Sequence, residues 1–230
     1  AKTVIEQHGA LEDLTTSRVL PNYYKSVENI VALEQVMTSG YVKIGEPNNA
    51  LIDSYRTGDK RKALYFKAVT ASNYSVIKFG ANGNDGYRCS FRSAEAYLIA
   101  AEAAANLAED DAAATDEKLT EARTYLKELM AKRYVSVKYN TYAEELDNMQ
   151  KADLLKAIYN ERTAEFAFEG HRWFDLRRTT RPALSKSYKE KKGDEEIVHN
   201  FELNENDSRY TLRFPTEAVE ANPEIENWNN

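Results

Sequence analysis

Apolar side chains recur at helical spacing from Phe91 onward: Ala94, Tyr97, Leu98, Ala101 and Ala105 fall on one face of an alanine-rich stretch. That spacing predicts a helix ending near Leu107 to Ala108. A second stripe, Leu119, Ala122, Leu126, Leu129 and Met130, predicts a helix from about Thr115, read as its N-cap, to Arg133. The acidic turn Glu109-Asp110-Asp111 separates the two. With small Ala101 and Ala105 where the backbones must approach, the pair reads as an antiparallel hairpin of the tetratricopeptide type. A third helix starts near Asp153, a good N-cap, and carries Leu154, Leu155, Ile158, Arg162, Glu165 and Phe166 before Gly170 stops it. Residues His171 to Arg178 then form a compact aromatic and charged segment, limited downstream by Pro182.

Residues 1–90 follow no such rule, mixing short apolar runs with turn clusters at Gly45 to Asn49 and Gly80 to Gly86. Within them Pro21 to Val36 predicts a helix, and Gly40 to Ile44 and Tyr74 to Phe79 predict short extended segments by their alternation. After Pro182 the turn signal Lys192-Gly193-Asp194 predicts a hairpin. Arg209 to Phe214 alternates as a strand would before Pro215 ends it, and Thr216 caps a last short helix broken at Asn222-Pro223. The expected architecture is mainly α: tetratricopeptide-like helical repeats, a superhelix with irregular loops and a small β-hairpin. The expected organisation is an irregular, ligand-facing segment over residues 1–90 and a helical region over residues 91–230.

Composition narrows the function classes. A chain of 230 residues with 42% hydrophobic and 30% charged residues is globular rather than disordered. A net charge of -6 removes the broad basic surface that phosphate-backbone binding needs, so no nucleic-acid partner is expected. The single cysteine, Cys89, excludes an intrachain disulfide framework and any multi-thiolate zinc site, and reads as a small core residue. No apolar run approaches the roughly 20 residues of a membrane span.

The densest charge lies at Glu161, Arg162, Glu165, Glu169, Arg172, Asp175 and Arg177, interleaved with Phe166, Phe168, Trp173 and Phe174. Carboxylates at i and i+4 share a helix face and could serve as an acid/base pair. Interleaved guanidiniums and aromatics instead suit a half-buried ion-pair network, and that is the expectation. A metal is not expected: His8, His171 and His199 are far apart, and the one Glu-x-x-His, Glu196 to His199, is a single copy. Neither a Gly-x-Ser-x-Gly elbow nor a Walker or dinucleotide glycine pattern occurs, so no cofactor is expected. Fifteen tyrosines against two tryptophans bear on binding, because sugar C–H faces stack on aromatic rings. Tyr97, Tyr125 and Tyr159 fall on helix faces; Tyr23, Tyr24, Tyr41, Tyr55, Tyr74 and Tyr87 are the ligand candidates.

Three stretches together resemble one family. Phe91 to Ala103 is similar to an "R-x-A-E-x-Y-L-x-x-A-E-A" helix; Ile158 to Arg178 follows "E-R-x-x-E-F-x-F-E-G-x-R-W-F-D-L-x-R"; and Phe214 to Pro223 is similar to a closing "I-P-x-x-E-x-x-x-N-P". Tyr55 to Arg61 adds a weaker "D-x-R" match. These are motifs of the SusD/RagB family, the surface lipoproteins that capture nutrients. The resemblance covers residues from about 55 to 223. It implies further helical repeats and a lipid-anchored N-terminus before this part, so that the chain looks like the C-terminal half and touches the outer membrane only through that anchor. It also implies non-catalytic binding of a glycan or peptide nutrient, with delivery to a SusC-like, TonB-dependent transporter, and fold-bearing roles for Glu161, Arg162, Glu165, Gly170, Arg172, Trp173, Asp175 and Arg177. The rival readings are a tetratricopeptide-type protein-interaction scaffold and a glycoside hydrolase, which needs paired carboxylates in a cleft.

Overall fold

The computed structural model describes residues 1–38, 47–79, 86–222 and 224, without the side chains of residues 33–38 and 86–90. The chain divides into two compact units, Ala1–Glu169 and Gly170–Asn230. Both are built from short helices and two-stranded antiparallel ladders, so the fold is mainly α with small hairpins, as the spacing predicts.

In the first unit, α1 (Lys2–His8) precedes β1 (Asn29–Thr38), α2 (Asn49–Ser54), α3 (Lys60–Tyr65), β2 (Phe66–Ala68), β3 (Tyr74–Val76) and β4 (Gly86–Arg92). Four longer helices follow: α4 (Ser93–Leu107), α5 (Glu117–Ala131), α6 (Ser136–Asp147) and α7 (Lys151–Glu165). The alanine stripe does what small residues allow: Ala94, Ala101, Ala104 and Ala105 are buried on α4, which packs against α1, α5 and α7. Leu119, Ala122, Leu126 and Leu129 of α5 close the same core, joined by Leu154 and Ile158 of α7. A second cluster gathers Leu20, Ile52, Tyr55, Tyr65, Phe66, Val76 and Phe79 with Ala164 and Ala167. The irregular residues 1–90 thus share one unit with the helical hairpin.

Several boundaries differ from expectation for identifiable reasons. Pro21 to Val36 is not a helix; residues 21–28 make turns and β1 follows. The strand pairs with β4 in a register running from Asn29 opposite Arg92 to Thr38 opposite Gly86. A long-range pairing partner decided what local periodicity left ambiguous. The ladder begins where Ser93 N donates to Glu28 O at 2.9 Å. Helix α6 has only Tyr142 and Leu146 buried, so its apolar period is too sparse to read. The cap of α5 is Asp116, whose carboxylate accepts from Lys118 N and Leu119 N, one residue past the Thr115 expected. The cap of α7 is Gln150, ahead of Asp153. Tyr41 and the segment around it lie outside the described residues.

In the second unit, α8 (His171–Arg178) starts at Gly170, whose φ of 88° is left-handed and favours glycine. The predicted hairpin is β5 (Leu184–Lys192) paired to β6 (Glu195–Leu203) across Gly193. The strand expected at Arg209 to Phe214 is absent. Asp207 caps a single 3₁₀ turn, Ser208–Tyr210, and the turn buries Tyr210 completely. That ring stacks on Trp173 at 5.0 Å, and its hydroxyl donates to Pro182 O at 2.5 Å. A last helix, α9 (Thr216–Ala221), has Pro215 at its N-cap.

Leu98, fully buried between α4 and its neighbours, tests the helical core. Leu98→Ala is expected to cost about 2–5 kcal/mol, read by urea denaturation with an unchanged m-value.

Candidate functional site

The charged part of the first unit is sealed. Glu165, on the last turn of α7, is fully buried and accepts four hydrogen bonds from three arginines. Arg133 approaches bidentately, Nε to Oε2 at 2.8 Å and Nη2 to Oε1 at 2.9 Å; Arg92 Nη1 reaches Oε1 at 2.8 Å and Arg61 Nη1 reaches Oε2 at 3.0 Å. Each arginine arrives from a different place: Arg61 from α3, Arg92 from the end of β4, Arg133 from the segment after α5. That last segment is held by backbone bonds, Lys60 N to Arg133 O at 2.9 Å and Val135 N to Gly58 O at 3.0 Å. Gly58 has φ of 87°, and a Cβ there would lie 2.8 Å from side-chain carbons of Val135 and Lys138.

Around this centre Glu28, Asp59 and Glu169 also meet cations. Glu28 takes Arg133 Nη2 at 2.5 Å and Arg92 Nη1 at 2.8 Å, and Glu12 N also donates to it at 2.9 Å. Arg61 grips Asp59 with Nε to Oδ1 at 3.0 Å and Nη2 to Oδ2 at 2.7 Å. Glu169 takes Arg92 Nε at 3.0 Å and Lys78 Nζ at 2.5 Å. Lys78 also donates to Glu165 O and Ala167 O, both at 3.1 Å, which satisfies carbonyls left over where α7 ends. Burial alone raises the Glu165 carboxyl, but the guanidiniums of Arg133, Arg92 and Arg61 overcome it and hold the group well below the usual range. Glu169 is depressed in the same way, by Arg92 and Lys78 against burial.

Glu161 behaves differently. Burial pushes its carboxyl up, and the Arg61 charge offsets only part of that. Arg61 Nη1 lies 2.7 Å from Oε1, but that oxygen accepts no hydrogen bond, and Oε2 takes only the Tyr134 hydroxyl at 3.3 Å. Glu161 lines a groove of about 460 Å³ together with Tyr134, Met130, Leu126, Leu146 and Met149.

Of the other residues singled out in the sequence, Arg162 is buried on α7 with its guanidinium 5.5 Å from the Phe166 ring. Within the second unit, Asp175 is buried and accepts from Arg178 Nη2 at 2.8 Å, Trp173 is the half of the stack already described, Arg172 is exposed, and Arg177 gives its carbonyl to Arg181 Nε at 3.0 Å. The tyrosines scatter. Tyr55 is 5% exposed and its hydroxyl donates to Ala164 O at 2.8 Å, so its ring belongs to the core. Tyr23 and Tyr74 are half-buried against the second cluster; Tyr24, 44% exposed, meets Tyr23 edge-on at 4.8 Å. Tyr87 lies on β4 opposite Met37, and its side chain is not described. Sequence reasoning missed Glu28, Asp59, Arg61, Lys78, Arg92 and Arg133 as network members, because each is far in sequence from the acids it meets or from the helix that carries them. No cluster of His, Cys, Asp and Glu among the described residues could hold a metal ion, and no described helix is long and apolar enough to cross a membrane.

Within a mainly helical scaffold, Glu165 and Glu169 of the acidic motif are thus spent on buried arginines and a lysine. The family model described as the SusD family matches residues 10–230, and the chain belongs to that family. Its members are nutrient-binding, outer-membrane lipoproteins, in general non-catalytic, that associate with SusC-like transporters. No curated protein matches the chain.

Glu165→Gln leaves three buried guanidiniums facing a neutral amide and is expected to cost about 3–5 kcal/mol in urea denaturation at pH 7. Acid titration adds a second check. Glu165 and Glu169 have folded pKa values below their unfolded ones, so their contribution is complete above the ordinary carboxylate range and is lost as pH falls through the depressed values. The raised Glu161 runs the other way, recovering stability as it protonates first. The unfolding free energy of the wild type should therefore fall steeply in acid, and Glu165→Gln should flatten that slope.

Proposed function

We propose that the chain binds a glycan or peptide nutrient at the outer-membrane surface without altering it, and passes it to a SusC-like, TonB-dependent transporter. Membership of the SusD family over residues 10–230 carries this reading. The placement of the signature residues supports it. Glu165 and Glu169 are engaged by arginines or lysine inside the first unit and keep no carboxylate oxygen for a reacting group. A glycosidase needs two carboxyl groups across a cleft, whereas these are committed to holding segments together. Recognition then falls to rings outside the core. Tyr24, Tyr23 and Tyr74 are the described candidates that keep partial exposure, and a sugar face stacked on such a ring supplies contact at small entropic cost. The anchor and the transporter contact belong to the same proposal.

Calorimetry of the chain against a panel of soluble polysaccharides and peptides, with chromatography of the mixtures, tests it. Binding with no shortened product is the expected result; cleavage, or no binding to any of them, sinks the reading. Tyr24→Ala should weaken the bound ligand by about two- to tenfold, the worth of one aromatic contact, with an unchanged melting temperature. Co-purification with an outer-membrane barrel from the native host is the expected partner result; retention of soluble proteins alone would favour a scaffold.

A further inference from the structure

The groove beside Glu161 is the feature that nutrient capture by exposed tyrosines leaves unused. One stripe of α7, comprising Asp153, Ala157, Asn160, Glu161 and Ala164, forms its length, and Leu126, Met130, Leu146 and Met149 form its apolar floor. Eleven helical steps along that stripe span about 16 Å, the reach of about five residues of extended chain.

The buried network behind this groove, which reaches it at Glu161, carries an unbalanced charge. Through the described ion pairs, four cations, Arg61, Lys78, Arg92 and Arg133, face five carboxylates, Glu28, Asp59, Glu161, Glu165 and Glu169. The surplus rests at Glu161, because Arg61 divides itself among Asp59, Glu165 and Glu161 and gives the last no hydrogen bond. At the rim, Arg56 is turned to Glu145 at 2.7 Å and lies 3.4 Å from the Tyr142 ring centre, so its charge is already engaged. Asp153 and Lys156, both exposed, cancel in charge at the mouth.

We propose that the groove takes an extended peptide carrying a lysine side chain, its aliphatic stem on the Met130 and Met149 floor and its ammonium against the Tyr134 and Glu161 wall. Each part of such a ligand meets its match. The tetramethylene stem covers apolar surface while its charged head seeks a carboxylate. The exposed Asn160 amide can both donate to and accept from a peptide backbone. An acidic side chain would meet the surplus negative charge, and an uncharged aliphatic one would gain the floor alone. The site is independent of whether the chain also handles glycans.

Protein labelled with ¹³C at the methionine methyls and titrated with N-acetyl-Ala-Ala-Lys-Ala-Ala-amide tests it, with the same peptide carrying norleucine in place of lysine as control. Saturable shifts of the Met130 and Met149 methyl signals are expected, with the norleucine peptide weaker by about tenfold or more, the worth of one charge-assisted hydrogen bond. Ala157→Leu, which fills the groove from a partly exposed helix position, should abolish the shifts at an unchanged melting temperature. Glu161→Gln should bring the two peptides to similar affinity. Absence of saturable shifts, equal affinity of the two peptides for the wild type, or undiminished binding by Ala157→Leu would overturn the proposal.

Discussion

Everything in the larger unit converges on the carboxylate of Glu165. Two oxygens receive three guanidiniums, and each guanidinium is delivered by a separate stretch of chain. Taking so many charges from water is expensive, and their mutual attraction in a dry interior returns that cost only when geometry is good and further hydrogen bonds use the remaining donors. Here they do: Arg133 Nη1 reaches Glu12 O at 2.6 Å, Arg92 continues to Glu28 and Glu169, and Arg61 continues to Asp59. The consequence is specificity of arrangement. A slip of β1 against β4 would carry Arg92 away from Glu28 and Glu165, and a shift after α5 would withdraw Arg133, leaving buried charges unpaired. Apolar packing tolerates repacking; this network tolerates one registration.

Part of the motif stretches falls within that constraint. Arg61, Arg92, Glu161, Glu165 and Glu169 all sit in the motif stretches, and all are buried members of the network. These five residues help close the scaffold, their acids facing arginines and a lysine rather than solvent. Membership in the family rests on the match of its model over residues 10–230, which contains these residues.

The same physics decides what was legible in the sequence. Alanine and leucine stripes on α4 and α5 report their own burial, since period and propensity are local. Of the network, Glu161, Glu165 and Glu169 were legible for a similar reason, lying close together in the chain. The basic half was not. Arg61 lies 104 residues from Glu165 and Arg92 lies 73 residues away, distances at which spacing carries no geometric information. Pro21 to Val36 was misread because Ile30, Val31 and Val36 suit a strand or an amphipathic helix equally, and only the pairing with β4 separates the two. The alternation at Arg209 to Phe214 misled in the other direction: Tyr210 turned inward to stack on Trp173, while Leu212 and Phe214 stayed 71% and 53% exposed.

Tyrosine abundance is the remaining compositional signal, and burial redistributes its meaning. Tyr55, Tyr65, Tyr97, Tyr134, Tyr142 and Tyr210 are core residues, several of them with hydroxyls donating to backbone carbonyls. A tyrosine in these places supplies ring volume to a helical core together with one hydrogen bond that ties a loop down, as Tyr142 does to Thr57 O at 2.9 Å. The count in the sequence thus measures how the loops are fastened as much as how a ligand is met. Tyr134 joins the two uses, its hydroxyl shared between Arg61 and Glu161 on the wall of the groove. A scaffold that fastens itself with polar groups leaves a few of them at the edge of its core, and there its interior electrostatics can act on a ligand outside.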